Sequence, residues 1–269
     1  VWEDKDMSYF SGFIGAGNMG GALARAASKS KKGSIAVADR DAAKAKLLAD
    51  EIGADVLSSA EIAQNAKYIF LGVKPQMLTD LFDEIAPVLK KRTDEFVLVT
   101  MAAGRSIETV AALAACDCPI IRIMPNTPVG VGKGMILYCT NGAVKDTNEF
   151  SELMSFAGML DEIPEKLIDA ASAITGCAPA WIDMFIEAMA DGGVLCGLPR
   201  DKAQKYAAAV LSGTAELALA SGKHPGELKD AVCSPGGTTI EGLAVLEKNS
   251  FRSTVIEAVR AAYEKNFKL

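Results

Sequence analysis

Two short stretches of this chain hold residue types suited to gripping an anion through backbone amides. The first is "FIGAGNMGGALARAA", where Gly15-x-Gly17-x-x-Gly20 follows a short apolar run and opens an Ala-rich segment. In that setting Gly15 makes a tight turn, Gly17 lets the backbone approach a pyrophosphate, and Gly20 lets the helix pack on its strand. The helix N-terminus adds amide donors and the positive end of its dipole, so Ala16, Asn18 and Met19 belong to the same candidate cradle. The plain alternative is a glycine-rich turn with no ligand. The second stretch is "SPGGTT", Ser234 to Thr239, just before a helix expected to begin at Thr238. Ser234-Pro235 turns the chain, and Gly236 and Gly237 leave their amides uncovered. With the hydroxyls of Ser234, Thr238 and Thr239 they make a site for a small carboxylate. A helix merely capped by Ser or Thr after a Gly-Gly turn explains the same residues, so both readings stand at this point.

Other candidate ligands lie at the ends of short apolar runs. About 20 residues beyond the glycine motif the run "AVADR" ends in Asp39 and Arg40. An acid there accepts from an adenosine ribose hydroxyl and favours NAD, whereas an arginine pairs with a 2′-phosphate and favours NADP. Both are present, so the choice between NADPH and NADH is open. "GVKPQ" (Gly72, Val73, Lys74, Pro75, Gln76), "TMAAGRS" (with Ala102, Ala103 and Gly104) and "MPNTPVGVGKG" (with Asn126) follow three further runs. Each alone reads equally as an ordinary strand–helix loop. Together, at successive strand ends, they favour a long cleft for a dinucleotide.

The elements that must position these loops are legible as alternation. Phe10-Ile14, Ser34-Asp39, Lys67-Val73, Glu95-Thr100 and Pro119-Met124 read as buried parallel strands, with a further strand at Gly134-Thr140. Helical spacing fills the gaps at Met19-Lys29, Asp41-Ile52, Gln76-Ala86 and Ser106-Ala115. This is the grammar of a doubly wound α/β domain. After Pro164 strand signals almost vanish. Helices are expected at Glu165-Ala173, Pro179-Leu195, Arg200-Ser221, Pro225-Ala231, Thr238-Lys248 and Ser253-Asn266. Small residues (Ala207, Ala208, Ala209, Ala215, Ala218) should let these helices approach closely, and so apolar a segment is expected to bury a face against a partner subunit. Residues 7–164 and 165–269 are therefore the expected domains.

At 269 residues the chain has room for two modest domains, and its 50% hydrophobic and 23% charged residues are globular in composition. A net charge of −6 with no basic cluster argues against nucleic acid or an anionic membrane as partner. No apolar run is long enough to span a bilayer. The leading "VWEDKDM" carries no targeting pattern and is expected to be a tail before a natural start at Met7. The six cysteines form no C-x-x-C pair and are expected to be reduced, cytoplasmic thiols, with no redox role for the close pair Cys116 and Cys118. The single histidine, His224, is far from any such pair and is expected at the surface, so no metal is expected.

From Ser11 onward the chain resembles the pyrroline-5-carboxylate reductases, which carry out the last step of proline synthesis. "FIGAGNMGGAL", "GVKPQ", "MAAG", "MPNTP", "ADGGVLCGLPR" and "SPGGTTIEGL" stand in that family's order and spacing. The resemblance implies an α/β fold: an N-terminal Rossmann-like doubly wound sheet followed by an all-α C-terminal dimerisation domain. It implies homodimers that in this family often assemble further, commonly into decamers. It also implies hydride transfer from NADPH or NADH to the imine carbon of Δ1-pyrroline-5-carboxylate, giving L-proline. The substrate carboxylate would sit on Ser234 and the amides of Gly236, Gly237 and Thr238. Thr239 would donate a hydrogen bond to the ring nitrogen and so act as the catalytic residue. The nicotinamide would lie along Gly72-Pro75 and Ala102-Gly104, and Ser59, where relatives often carry Asn, would face the adenosine. The chain departs from the family's usual "SGSGPAY" with "TGCAPAW", Thr175 to Trp181. Trp181 reads as plain core. Two rivals share the plan. A β-hydroxyacid dehydrogenase needs an early lysine as proton donor in the helical domain, and "ITGCAPAWIDMFIEA" has none. A non-catalytic NADP-sensing protein would have little use for an intact "SPGGTT".

Overall fold

In a computed structural model, residues 8–30 and 34–266 are described, so the tail ending at Met7 lies outside the described residues. The chain forms two compact units, dividing between Gly176 and Cys177. The first is built on an eight-stranded sheet of order β3-β2-β1-β4-β5-β6-β7-β8. Its strands are β1 (Tyr9–Ile14), β2 (Ile35–Ala38), β3 (Asp55–Val56), β4 (Ala66–Leu71), β5 (Val97–Thr100), β6 (Ile120–Met124), β7 (Gly134–Thr140) and β8 (Gly158–Glu162). Every pairing is parallel except β6 with β7. The helices of this unit are α1 (Asn18–Ser30), α2 (Ala42–Ile52), α3 (Ser59–Asn65), α4 (Leu78–Leu89), α5 (Ile107–Ala114), α6 (Asn148–Leu153) and α7 (Glu165–Thr175).

The buried strands serve two cores by simple alternation. Ile14, Ala36, Ile69, Leu71, Leu98 and Ile120 pack with α3, α4 and α5 on one face. Phe13, Val37, Phe70, Val99 and Ile121 pack with α1, α2 and α6 on the other. Runs apolar at every position are what a strand covered on both faces requires. The chain runs outward from β1 to β2 and β3, then returns to place β4 beside β1. The direction of winding reverses between β1 and β4, the place where open α/β sheets leave a crevice at their strand ends.

Four elements lie where no strand or helix is expected from sequence. β3 is a two-residue exposed edge and β8 an edge strand with a largely exposed pattern, so neither shows a buried apolar run. Helices α3 and α6 are short; α3 begins with a capping box between Ser58 and Glu61, a signal present in the sequence. Helix α4 starts after a 3-10 turn at Pro75–Met77 and runs past Pro87 to bury Leu89.

Helix α7 is tied to the sheet. Arg122 on β6, with its side chain 5% exposed, meets Glu165 at 3.0 Å and Asp169 at 3.4 Å. Glu165 also accepts from the amide of Ile107, the first residue of α5, at 2.8 Å. Truncating Arg122 strands two carboxylates that are about one-third exposed. Arg122→Ala is therefore expected to cost about 2 kcal/mol, below the range for wholly buried pairs, read as a lower urea midpoint at unchanged slope.

The second unit holds α8 (Ala178–Leu195), α9 (Arg200–Ser221), α10 (Pro225–Ala231), α11 (Thr238–Lys248) and α12 (Phe251–Asn266), the last residue of which groups with the first unit. Helices α8 and α9 meet through small side chains: a Cβ on Gly193 would stand 3.2 Å from the Ala203 Cβ. Of the alanines expected to line this contact, Ala207 is buried, and Ala203 joins it. Ile182, Met184, Leu195, Val210, Leu219 and Ile256 stay exposed, and Trp181 is half-buried rather than core.

Candidate active site

The loop after β1 is held without room for side chains at two of its three glycines. Gly15 has φ +113°, and a Cβ there would lie 2.5 Å from the Gly72 carbonyl oxygen at the end of β4. A Cβ on Gly20 would lie 2.1 Å from the Gly15 oxygen, so the first turn of α1 rests directly on the loop. Gly17 is the opposite case: nothing lies within 4 Å of a Cβ built there. Its carbonyl accepts from Gly21 at 2.8 Å and its amide precedes α1, whose first turn holds no acid. Gly17 has no side chain to cap the helix that follows it, and the space beside its Cα is open, as the approach of a diphosphate to a helix start requires. This cradle fits a dinucleotide.

Asp39, just beyond β2, closes on the same loop. One carboxylate oxygen accepts from the Ala16 amide at 2.7 Å and the other from the Asp41 amide at 2.9 Å. Arg40 points elsewhere: it is exposed and sits 3.3 Å from Asp80 on α4. Asp80 carries no signal in the sequence, because it reaches Arg40 only through the fold. Ser59 is the first residue of α3, half-buried, behind the capping Ser58.

The loops after β4 and β5 stand at the same edge of the sheet. Lys74 is exposed on extended backbone, and Pro75 opens the 3-10 turn, with Met77 donating to the Lys74 carbonyl at 2.8 Å. Gly72 and Val73 before it are half-buried. Ala102 is buried while Ala103 and Gly104 are exposed. The Arg105 amide closes a turn on the Ala102 carbonyl at 3.3 Å, with Gly104 at φ +68°. After β6, Asn126 spends its side chain inside the protein. Its Nδ2 donates to the Thr175 carbonyl at 2.9 Å, and its Oδ1 accepts from the Met135 amide at 2.8 Å.

In the second unit the residues before α11 form an open turn. The Gly237 amide donates to the Ser234 carbonyl at 3.0 Å, and Gly236 takes φ +67°. Gly237 occupies the N-cap and no side chain caps the helix. A Cβ at Gly237 would meet the Ser234 Oγ at 2.4 Å, so only glycine lets that hydroxyl stand where it does. Of the two readings of "SPGGTT", the Ser/Thr-capped helix is therefore not the one adopted. Ser234, Thr238 and Thr239 are exposed around an uncapped helix start.

The remaining titratable candidates are bystanders. His224 is exposed and accepts from the Gly226 amide at 3.0 Å as the cap of α10. All six cysteines are free; burial pushes the Cys118 thiol well up and the Cys139 thiol up to about 11, so both stay protonated. Cys196 is exposed. Among the described residues no cluster could hold a metal, and no helix is long and apolar enough to cross a membrane.

Comparison with known proteins agrees with both halves. Residues 165–269 match the family model for pyrroline-5-carboxylate reductase dimerisation, and residues 11–104 match one described as NADP oxidoreductase, coenzyme F420-dependent. The chain is 42% identical over 264 residues to pyrroline-5-carboxylate reductase of Escherichia coli K12, covering 96% of this chain and 97% of that one. It is 39% identical to the pea (Pisum sativum) protein of that name, covering 97% and 96%. Among solved structures, pyrroline carboxylate reductase of Plasmodium falciparum with NADP bound superposes with a TM-score of 0.84 at 33% identity, covering 97% of this chain and 98% of that one.

Proposed function

The chain belongs to the pyrroline-5-carboxylate reductase family, and from that premise we propose how its residues serve the reaction. It is an NAD(P)H-dependent oxidoreductase that reduces the C=N bond of Δ1-pyrroline-5-carboxylate to give L-proline. The observation that carries the reading beyond homology is the uncapped start of α11 behind Gly237. A metabolite carboxylate supplies the capping acceptor that the chain itself withholds. Ser234 and the amides of Gly236, Gly237 and Thr238 hold that carboxylate, and Thr239 donates to the ring nitrogen.

Gly15, Ala16, Gly17, Asn18, Met19 and Gly20 cradle the pyrophosphate, with Asp39, Arg40 and Ser59 on the adenosine side. Gly72, Val73, Lys74, Pro75 and Ala102, Ala103, Gly104 line the nicotinamide end. Bound NAD(P)H supplies the hydride. The chain's own task is to orient the imine acid and exclude water around it. The imine is basic enough to take its proton before or during transfer, so no strong acid of the kind ketone chemistry needs is required, and the Thr239 hydroxyl donates to the lone pair that hydride addition places on the nitrogen. The exposed apolar side chains of α8, α9 and α12 suit burial against a second copy, which the dimerisation match supports. Further assembly to a decamer and a cytoplasmic location complete the proposal.

The test is spectrophotometric: NADPH and NADH oxidation with Δ1-pyrroline-5-carboxylate, and pyruvate-type keto acids as controls. Turnover with the imine alone is expected; turnover with keto acids, or none with either, overturns the reading. In the same assay Arg40→Ala is expected to lower the NADPH:NADH ratio of kcat/KM about tenfold, the worth of one exposed charge-assisted contact. An unchanged ratio would remove Arg40 from the 2′-phosphate.

A further inference from the structure

Asn126 lies in the loop after β6, and β6 is next in the sheet to β5, whose following loop the proposed function gives to the nicotinamide. The sequence alone makes Asn126 a candidate nucleotide ligand, yet its side-chain polar atoms are bonded within the protein. Its amide nitrogen holds the Thr175 carbonyl at 2.9 Å, at the last residue of α7. Its amide oxygen holds the Met135 amide at 2.8 Å, at the start of β7. Its own carbonyl accepts from Val129 at 3.2 Å, closing the 3-10 turn that follows. One residue thus joins the end of β6, the start of β7 and the end of α7. The opposite end of α7 is pinned in the same manner, Glu165 taking Arg122 from β6 and the first amide of α5. Helix α7 is a strut, and its two ends bear on the segments that follow β5 and β6.

We propose that Asn126 is a positioning residue for the reduction. It fixes the loop 125–134 through Thr175 and Met135, and acts on hydride transfer through that loop without touching the nucleotide. This rests on the reductase reading above. The division of labour follows from the sheet order. The cradle after β1 and the residues after β2 lie on the far side of β4 and β5 from Asn126. Nucleotide affinity comes chiefly from the charged pyrophosphate and adenosine groups held there. Loosening the loop after β6 therefore misorients the reacting end while leaving affinity in place, and small misplacements are costly in rate.

The experiment compares the full-length wild type with Asn126→Ala and Asn126→Asp. Three quantities are read: kcat, the Kd for NADPH by nucleotide fluorescence without substrate, and backbone hydrogen exchange by segment. Asn126→Ala is expected to lower kcat about tenfold or more, keep the Kd within about twofold, and speed exchange only in the segment around 127–135. Asn126→Asp keeps an acceptor for Met135 but loses the donor to Thr175; it should lose kcat while the Met135 amide stays protected. A Kd raised tenfold or more at unchanged kcat makes Asn126 a nucleotide ligand and overturns the proposal. Faster exchange throughout the first unit makes it a general stability residue and overturns it too. If the wild type turns over and Asn126→Ala keeps its kcat, the role of Asn126 falls alone. A wild type with no turnover takes down the reductase reading itself.

Discussion

Thr239→Ala is expected to lower kcat with Δ1-pyrroline-5-carboxylate about tenfold to a hundredfold while leaving the Kd for NADPH within about twofold. The reason is where Thr239 sits. It is the second residue of α11, in the second unit, whereas the proposed nucleotide cradle is built from loops of the first. Its hydroxyl is exposed on a helix start with no capping side chain, so removing it leaves no buried partner unsatisfied and the fold is not expected to weaken. On the proposed role, what is lost is a hydrogen bond to the ring nitrogen that strengthens as the nitrogen gains amine character, an effect on the barrier more than on binding. Thr239→Ser keeps a hydroxyl on the same helix turn and should recover most of the rate. The check is a steady-state series in imine acid at saturating NADPH, with nucleotide binding measured separately. Equal losses in turnover and nucleotide binding, or no loss in either, would sink the role assigned to this threonine.

The fold was legible where burial writes itself into composition. Strands β1, β2, β4, β5 and β6 are covered on both faces, so their sequences are apolar at consecutive positions, and each appears within two residues of its expected bounds. Helices α9, α10 and α11 occur with the expected bounds because Pro199, Pro225 and the Gly-Gly turn mark their starts. β3 and β8 hide because an exposed edge strand carries no such mark; what holds β8 is its backbone pairing with β7, where a Cβ on Gly158 would stand 2.1 Å from the Gly134 oxygen. The site divides along the same line. Glycines announce themselves, since the close approaches to backbone at Gly15 and Gly20 exclude other residues. Pairings between distant elements do not. Nothing local tells that Asp39 grips the Ala16 amide, that Asp80 faces Arg40, or that Asn126 turns inward to Thr175. Side-chain partners from different elements become visible only once the sheet order is known.

The two glycines Gly17 and Gly20 separate ligand from fold, and they give the second large effect. Gly20→Ala would force a Cβ to 2.1 Å from a backbone oxygen that cannot rotate away. It is expected to lower stability by about 3 kcal/mol or more and to abolish nucleotide binding as a consequence. Gly17→Ala meets nothing within 4 Å in the protein. Its cost to stability should stay under about 1 kcal/mol, that of a less favourable residue at a helix N-cap. Yet in the proposed cradle its methyl group projects into the open space that the pyrophosphate would enter. Gly17→Ala is accordingly expected to raise the Kd for both NADPH and NADH at least tenfold, about 1.4 kcal/mol, with the melting temperature nearly unchanged. Both nucleotides should suffer alike, because the pyrophosphate is common to them, and this sets the effect apart from that of Arg40. Melting curves with and without nucleotide read all of it at once: wild type gains stability on adding NADPH, Gly17→Ala keeps the baseline and loses the gain, and Gly20→Ala loses the baseline. Were Gly17→Ala to keep the full gain, the loop after β1 would be a glycine-rich turn and no more, and the nucleotide would have to be sought elsewhere on the sheet.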